Sequence, residues 1–587
     1  MASLREKFVE EMDYLRRLGK VFARGNPALE PFLGTSAKDP DVERLLEGFA
    51  FLTAKLRLKI EDDFPEITQP LLQALDPSCL RPIPSMTIMR FTPIEGAISA
   101  PHVLPRGTVM QSRLVQGARC QFRTCTSVTL LPLAIESISD SHSNECTTIR
   151  IDLVASLGAS LHNLDCDDLE FHLSCCEETA LVLYAWLGRH LQGVQLKCHG
   201  QSRSLPLQCI QFSGFKPEEA LLPQPQGKPD GYRILQEYFS FPTRFHFFRL
   251  TGLRRMWPTE PCQRATFEFR FRHPMPPDTH VKTGDLSLFC APAINLFPRP
   301  AESISLDRPR MNVPLIPVTH TRSESCDIFS VDAVACTRRT VVREGMSPLQ
   351  AFRPFSSLGF RLPEEFDGFY VNSVEDQLVP DGAAHRISFL RSDKTAYVAK
   401  GEIAQVSLTC TNGQLPQSLV PGDIAYQADA TTNVADFINI TSPTPAYPPE
   451  LNGETQWDWI SNLSPNLLTL ESVPALVNFL RVYDLPGLRD IQLSRATQRK
   501  LDAIRSITTT PVDRMFKEMP VRGTRTHLVL DPNGYNSEGE MHLFFSVLSH
   551  AMSVFLSTRS FHILSVSTGP NKEPYEWPIR LGAQPLM

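Results

Sequence analysis

Proline is spread along the whole chain, and this distribution limits the fold more than any other feature of the sequence. There are 49 prolines among 587 residues, well above an average usage of roughly 5%. Because proline fixes φ and lacks a backbone N–H, it truncates helices and is excluded from the middle of central strands. We therefore expect a loop-rich chain of short strands with many rigid turns.

The clearest helical signal lies at the N-terminus, where apolar residues recur every three or four positions. This first helix is predicted to stop at Gly25-Asn26-Pro27. A second helix is expected from Asp39-Pro40 to Phe64-Pro65, with Asp39 as its cap, and a short third helix from Pro70 to Leu75. The apolar stripes comprise Leu4, Phe8, Met12, Leu15, Leu18 and Phe22 in the first helix, and Val42, Leu45, Leu46, Phe49, Leu52, Leu56 and Ile60 in the second.

These two stripes are wider than a two-helix arm can bury on itself, and isolated helices of this length are marginal in water. The commoner outcome is that such helices dock onto the rest of their own chain. The alternative is a helical bundle completed by other subunits. The periodicity alone leaves both interpretations open.

After residue 80 the pattern changes to alternating strands with interspersed helices, which predicts a multidomain α+β fold with mostly antiparallel sheets. Loop signals at 224–231 and 298–317 divide the chain into a helical arm, 1–80, and three further segments, 81–225, 226–315 and 316–587. Phe245, Phe247 and Trp577 are expected in the core. The predicted elements are strands at 149–155, 169–173, 265–271, 526–530 and 561–567, and helices at 181–191, 472–480 and 541–555.

The charge distribution and the N-terminus argue against several functional classes. Net charge is −6, and the Lys and Arg residues form no basic stripe, so nucleic acid is not an expected ligand. No apolar run reaches the ~20 residues that span a bilayer, and the N-terminus lacks the apolar centre of a signal peptide. We therefore expect a cytoplasmic protein, without membrane insertion, whose 14 cysteines are mostly free and buried.

Motifs for catalysis are absent: the sequence contains no Walker loop, no G-x-G-x-x-G, no H-E-x-x-H and no G-x-S-x-G.

The one region that offers chemistry is the Cys/His-rich stretch 120–209, which includes His172, Cys175 and Cys176. Adjacent cysteines in a strand point to opposite faces, which favours structural thiols over a zinc site. The acidic run Asp165–Asp168 is interpreted as an ordinary turn before a strand. We expect no catalytic, cofactor or metal residues; an enzyme or metal-binding protein using 120–209 stays the alternative.

Particular segments of the sequence carry more information than its composition. The opening FVEEMDYLRRLGKVFARGNPALEPFL, the run DPDVERLLEGFAFLTAKLRLKIEDDFPEI and then RPIPSMTIMRF closely resemble the TssF (VasA/ImpG) family. Members of that family are baseplate subunits of the bacterial type VI secretion system. Further matches are EYFSFPTRFHFFRLTGL, APAINLFPRPAESISLD, LTCTNGQLP and the ending FHILSVSTGPNKEPYEWPIRLGAQPLM, so the resemblance extends over nearly the whole chain.

The resemblance implies a fold related to the wedge proteins of contractile phage baseplates. It also implies a wedge of about two TssF copies and one TssG, with TssK, TssE and the VgrG spike hub as baseplate neighbours. In this family the N-terminal helices form a core bundle with TssG and the second TssF copy. The implied partner-binding residues are Phe8, Met12, Leu15, Phe22, Leu45, Leu46, Phe49, Leu52 and Leu56.

The leading hypothesis is therefore a non-enzymatic baseplate scaffold that supports tail tube and sheath assembly and transmits the trigger for contraction. It would be docked at the inner face of the cell envelope through its partners. A third candidate, an extracytoplasmic β-rich adhesin or sugar-binding module, is disfavoured by the missing signal peptide and by the helical N-terminus.

Overall fold

A computed structural model provides the coordinates of the chain. It describes residues 4–25, 40–61, 65–156, 159–162, 164–198, 201–224, 230–319, 325–338, 350–354, 368–377, 382–427, 434–463, 472–516, 519–556, 559–569 and 574–582.

Ten α-helices lie in these ranges, and the first three form the predicted N-terminal arm. The first helix ends at Gly25, as expected, but the third begins at Pro65, five residues earlier than predicted. Proline is well tolerated in the first turn of a helix, so Phe64-Pro65 marks the start of a new helix as well as a stop. The helices are α1 Leu4–Gly25, α2 Pro40–Glu61, α3 Pro65–Leu75, α4 Glu177–Ala185, α5 Gly231–Ser240, α6 Gly453–Leu463, α7 Val473–Arg481, α8 Leu485–Arg489, α9 Ile491–Asp502 and α10 Glu538–Met552.

Two of the predicted helices end or begin differently. The helix expected at 181–191 is α4 followed by a π-helical turn, Trp186–His190, and Leu191 opens a strand instead. Sheet pairing decides this boundary, because Leu191 lies opposite Phe271 in a neighbouring strand. Ser472 caps α7 as predicted, its side chain accepting from the N–H of Ala475. The C-terminal helix begins at Glu538, three residues early, with Ser537 as its cap.

The strands form seven sheets within the described residues, and nearly all pairs are antiparallel. The two parallel pairs are Arg353–Pro354 with Phe369–Gln377 and Met519–Leu530 with Phe561–Ser567. In sheet order the strands are Ile424–Gln427, Val109–Val115, Ala118–Thr124, Cys290–Ile294, Met86–Pro93 and Ala435–Asn439; Gln201–Leu205, Leu191–Cys198, Arg264–Phe271, Thr147–Ala155 and Leu133–His142; Ile210–Phe212, Phe247–Thr251, Asp168–Leu173 and Leu286–Leu288; Phe297–Pro300, Glu402–Thr411, Asp327–Arg338 and Gln350–Ala351, with Ile304–Ser305 on Glu402–Thr411; Val313–Pro314, Gly382–Leu390, Phe369–Gln377 and Arg353–Pro354; His102–Leu104 and Val128–Leu130; and Ile504–Phe516, Met519–Leu530, Phe561–Ser567 and Tyr575–Glu576, with Arg580–Leu581 on Phe561–Ser567.

The six-stranded sheet joins parts of the sequence that are far apart. Met86–Pro93 pairs on one side with Cys290–Ile294 and on the other with Ala435–Asn439. These strands come from three of the segments predicted from loop signals. The predicted boundaries at 80, 225 and 315 therefore do not separate the sheets from one another. The division of the chain into domains at these points remains a prediction.

The proline-rich stretch 298–317, predicted as a loop, is extended chain with short edge strands. Phe297–Pro300 lies at the edge of its sheet and pairs only with Glu402–Thr411. An edge position suits Pro298 and Pro300, because proline cannot supply the second row of backbone hydrogen bonds. Val313–Pro314 likewise lies at the edge of a four-stranded sheet. The loop prediction is corrected here to edge strands.

The aromatic residues predicted in the core are buried. Phe245 is 0% exposed and Phe247 is 2% exposed, although Phe245 belongs to a 3-10 turn and only Phe247 to a strand. Trp577 is 3% exposed, and its indole Nε1–H donates to Ser546 Oγ on α10 at 2.9 Å. This hydrogen bond attaches the C-terminal segment to α10.

Candidate functional site: an exposed apolar face on the N-terminal helices

The α1–α2 pair stands apart from the rest of the chain. The two helices pack against each other, and neither has more than marginal contact with any other element in the part of the chain that the structure describes. Arg16 on α1 donates from Nε to Glu43 Oε1 on α2 at 2.9 Å, which closes one edge of the pair. These two helices, called the arm from here on, are therefore a separate unit, and their outer surfaces are not covered by the β-rich remainder of the described chain, called the body.

The inner side of this unit combines the stripe of α1 with small residues of α2. Ala50 and Ala54 on α2 are 0% exposed, and small side chains let helix axes approach closely. The buried or half-buried residues of α1 include Phe8, Glu11, Met12 and Leu15, whose spacing places them on one helix face.

The outer side of α2 carries large apolar residues that nothing covers. Leu45 is 75% exposed, Phe49 is 61% exposed and Leu52 is 58% exposed. Their spacing of four and three places them on one helix face, on nearly the opposite side of α2 from Ala50 and Ala54. Side chains of this size cost free energy when they stay in water, so three together on one face indicate a contact surface.

The predicted partner-binding residues thus fall into two groups. Leu45, Phe49 and Leu52 form the exposed face of α2, and Leu46 flanks it half-buried. Met12 is 5% exposed because its own chain covers it. Phe8 and Leu15 are half-buried on the inner side, and the side chains of Phe22 and Leu56 lie outside the described residues.

Four other exposed apolar residues of the arm were not among the predicted binding residues. Val9, Tyr14 and Leu18 on α1 are each about half exposed, and Phe51 on α2 is 41% exposed. Leu18 belongs to the predicted stripe, so its spacing could have identified it. Val9, Tyr14 and Phe51 depart from the main periodicity of their helices, and no sequence signal marks them.

The third helix, α3, attaches the arm to the body through side-chain amides. Gln69 donates from Nε2 to the carbonyl of Val374 at 2.7 Å, and its Oε1 accepts from the N–H of Val374 at 3.1 Å. This amide therefore copies the pairing of a neighbouring β-strand along Phe369–Gln377. Gln73 donates to the carbonyl of Asn372 in the same strand, and Thr68 donates to Gln456 on α6. Side chains of three α3 residues therefore attach this helix to the body.

The Cys/His-rich stretch does not assemble a site from its cysteines. His172 is buried, and burial together with nearby His246 lowers its pKa to about 3. Burial, with Asp285, raises the pKa of Cys175 to about 12, so its thiol stays protonated and is a poor ligand or nucleophile. Nine of the 14 cysteines are buried. In the described residues, the single group of three converging His, Cys, Asp or Glu ligand atoms contains no cysteine.

The acidic run precedes the strand Asp168–Leu173, as predicted, and two of its carboxylates pair with arginines. Asp165 pairs with Arg254 at 2.8 Å, and Asp168 pairs with Arg249 at 3.3 Å where the strand Asp168–Leu173 begins.

None of the described helices is both long enough and apolar enough to pass through a lipid bilayer. Leu45, Phe49 and Leu52 lie exposed on one face of one helix, and this face is the candidate functional site.

The comparisons with known proteins agree with the predicted resemblance. The family model described as "Type VI secretion system, TssF" matches residues 1–584. The type VI secretion system component TssF1 of Pseudomonas aeruginosa is 28% identical, over 99% of this chain and 99% of that protein.

Two solved structures have the same fold. A chain of the TssK-TssF-TssG baseplate subcomplex of a type VI secretion system aligns with a TM-score of 0.77 and 26% identity, covering 92% of this chain and 99% of that one. A chain of a second type VI baseplate complex aligns with a TM-score of 0.66 and 24% identity, over 96% and 97% of the two chains. With a family model spanning all but the last residues, this chain belongs to the TssF family of the type VI secretion system.

Proposed function

We propose that this chain is a structural subunit of a baseplate wedge and that the Leu45–Phe49–Leu52 face of α2 binds the neighbouring subunits. As a TssF protein, the chain is a baseplate component of the type VI secretion system. The observation that carries the proposal is that this face is exposed while the arm packs only on itself within the described residues.

The energetics of association require several apolar anchors, and the arm provides them. Full burial of a Leu or Phe side chain contributes about 1.5–3 kcal/mol. Association costs roughly 4–15 kcal/mol in translational and rotational freedom. Leu45, Phe49 and Leu52 together reach only the lower part of that range. We therefore place the half-buried Phe8, Leu15 and Leu46, and also Phe22 and Leu56, at the same bundle, with Met12 packing the two helices from inside.

The proposed bundle partners are TssG and a second copy of this chain, in a ratio of about one to two. Support comes from the 26%-identical solved relative, which belongs to a TssK-TssF-TssG baseplate subcomplex. TssK is proposed as a further contact of the assembled wedge. TssE and the VgrG hub are proposed as baseplate neighbours on the family resemblance alone.

The proposed role is mechanical and not enzymatic: the chain holds the platform for tube and sheath, and it passes the contraction trigger on by rearrangement at subunit interfaces. It would act on the cytoplasmic side of the envelope, docked through its partners. The attachment of α3 by Gln69 to the strand Phe369–Gln377 supports this role, because it ties the helical N-terminal segment to the β-rich body.

Co-expression with TssG tests the proposal. The unchanged chain is expected to purify with TssG, and native mass spectrometry should give two copies to one. Phe49→Asp should abolish this complex, because a charge buried in an apolar bundle without a partner is very costly. The isolated variant should keep its thermal stability, since Phe49 is already 61% exposed in the free chain.

Two control variants make the test specific. Phe49→Leu keeps an apolar side chain at the same position and should assemble normally. Ile491→Asp places the same charge at another exposed apolar residue, on α9, where Ile491 is 71% exposed, and the TssG complex should survive it. Normal assembly of Phe49→Asp, or a stable monomer that ignores TssG, would contradict the proposal.

A further inference from the structure

One cluster of possible metal ligands lies outside the arm, at the end of the hairpin formed by Leu133–His142 and Thr147–Ala155. Asp140 and His142 are two residues apart on the first strand, so their side chains share one face. His280 reaches the same point from the loop after Arg264–Phe271. The ligand atoms of the three residues all lie within 4.8 Å of one another.

The contacts within the cluster converge on one carboxylate oxygen. Asp140 Oδ2 lies 2.7 Å from His142 Nε2 and 3.2 Å from His280 Nδ1. The N–H of Val281 also donates to this oxygen, at 3.2 Å. Two imidazole nitrogens and one backbone N–H therefore meet at a single carboxylate oxygen.

A second contact orients the ring of His142. Its Nδ1 lies 3.0 Å from Thr147 Oγ1, the residue directly opposite in the hairpin. Thr147 is 0% exposed, and its hydroxyl also accepts from the N–H of Met275 at 2.9 Å. A hydrogen bond to one ring nitrogen orients the ring and leaves the other nitrogen facing the cluster, as outer-shell hydrogen bonds do for metal-ligating histidines. Here Nε2 of His142 is the nitrogen that faces Asp140.

We propose that Asp140, His142 and His280 bind a Zn²⁺ ion that joins the loop 272–285 to the end of this hairpin. Two imidazoles and one carboxylate are a common protein ligand set for zinc, with a fourth position open to water. Bond lengths of about 2.0–2.2 Å in a tetrahedron place neighbouring ligand atoms about 3.3 Å apart. The spacings of 2.7 and 3.2 Å come close to that value. Small side-chain rotations suffice to admit the ion.

The loop is already held in place, so the ligands are arranged before an ion arrives. Thr283 Oγ1 accepts from the N–H of Ile138 at 3.1 Å, and Val281 binds Asp140 as described. His280 is 59% exposed and His142 is 27% exposed, which leaves the open coordination position toward solvent. The ion therefore has an entry path and a site for a water ligand.

Metal titration of the full-length chain tests this proposal. After dialysis against EDTA, ZnCl₂ is added and binding is followed by calorimetry, with zinc content measured by plasma mass spectrometry. One Zn²⁺ per chain is expected. His142→Ala and His280→Ala should each weaken binding by more than the roughly 10–100-fold that loss of an outer-shell partner costs. His102→Ala, at an exposed histidine outside the cluster, should bind like the unchanged chain.

A cobalt spectrum provides a second readout that does not depend on stability. Co²⁺ in the unchanged chain should give the intense visible bands of a tetrahedral site, and His280→Ala should lose them. Because His280 is largely exposed, this variant is expected to fold normally. Absence of zinc binding by the unchanged chain, or equal binding by His142→Ala, His280→Ala and His102→Ala, would overturn the proposal.

Discussion

Arg233 Nη1 lies 2.8 Å from Glu237 Oε1, and neither side chain is more than 1% exposed. The two residues are one turn apart on α5, so the pair is local in sequence but fully enclosed in the body. The same carboxylate oxygen accepts from the N–H groups of Leu221 and Leu222, at 2.9 and 3.1 Å. Glu237 thus fixes the loop before α5 as well as neutralising a buried cation.

Replacing Glu237 with Gln is expected to destabilise the chain by about 3–5 kcal/mol, because the buried Arg233 keeps its pair with Asp230 but loses the closer of its two carboxylates. Arg244 is affected too, since its Nε lies 3.5 Å from Glu237 Oε2 and it is 1% exposed. A large drop in the midpoint of thermal unfolding checks this. Glu375→Gln removes the carboxylate from an ion pair that is 35–52% exposed, and it should cost less than about 1 kcal/mol. Equal effects of the two variants would contradict the prediction.

Buried histidines predict a loss of stability in acid. Burial lowers the pKa of six of them, all described: to about 3 for His172, His542 and His550, and to about 4 for His246, His385 and His562. Their ordinary value is 6.5. Below pH 6.5 these histidines become protonated in the unfolded chain but stay neutral in the folded chain. The free energy of unfolding is therefore highest above this pH and decreases as the pH falls toward 4.

Each such histidine should contribute a slope of about 1.4 kcal/mol per pH unit in that window. The melting temperature is therefore expected to fall steeply between pH 6.5 and 4. His562→Gln should reduce this pH dependence by the contribution of one histidine, because Gln does not titrate. Gln can also keep the hydrogen bond to Thr526 Oγ1, which lies 2.9 Å from His562 Nε2. A melting temperature that stays constant from pH 7 to 5 would disprove the assignment.

Features encoded within one short segment could be predicted from the sequence. The strand Phe561–Ser567 and the first helix match their predicted ends, and Trp577 is in the core as its setting indicated. The pairing of Met86–Pro93 with Ala435–Asn439 could not be predicted, because the partners are far apart and a single sequence carries no register between them.

The inner face of α2 also escaped prediction, for a physical reason. Hydrophobic periodicity identifies the Leu45–Phe49–Leu52 stripe, but α1 packs on Ala50 and Ala54, where small side chains allow closer approach. The candidate metal site was missed because one of its ligands, His280, lies far along the chain from Asp140 and outside the Cys/His-rich stretch. The many cysteines of that stretch suggested thiols as the candidate ligands, whereas the fold brings together two histidines and an aspartate.

Gly539 on α10 should tolerate no side chain. A Cβ there would lie 1.9 Å from the carbonyl oxygen of Leu181 on α4, so Gly539→Ala forces the two helices apart. Overpacking of this kind costs typically about 1–3 kcal/mol and occasionally more. Gly48→Ala on α2 is the matched control, because nothing lies within 4 Å of its Cβ. It should stabilise the helix by about 0.4–1 kcal/mol. Thermal unfolding that shows the same sign for both would refute the close helix contact.

Gln69 should control how firmly the arm is attached to the body. Gln69→Leu removes both hydrogen bonds to Val374 and leaves a buried N–H and a buried carbonyl without partners, each costing about 1–3 kcal/mol. Hydrogen exchange at the Val374 amide should become faster, and proteases should cleave between the arm and the body more readily. Ile67→Ala, at a 56% exposed residue of the same helix, should leave both readouts unchanged. Unaltered protection of Val374 in Gln69→Leu would show that α3 is attached by its apolar contacts, such as Leu72, and not by the amide pairing.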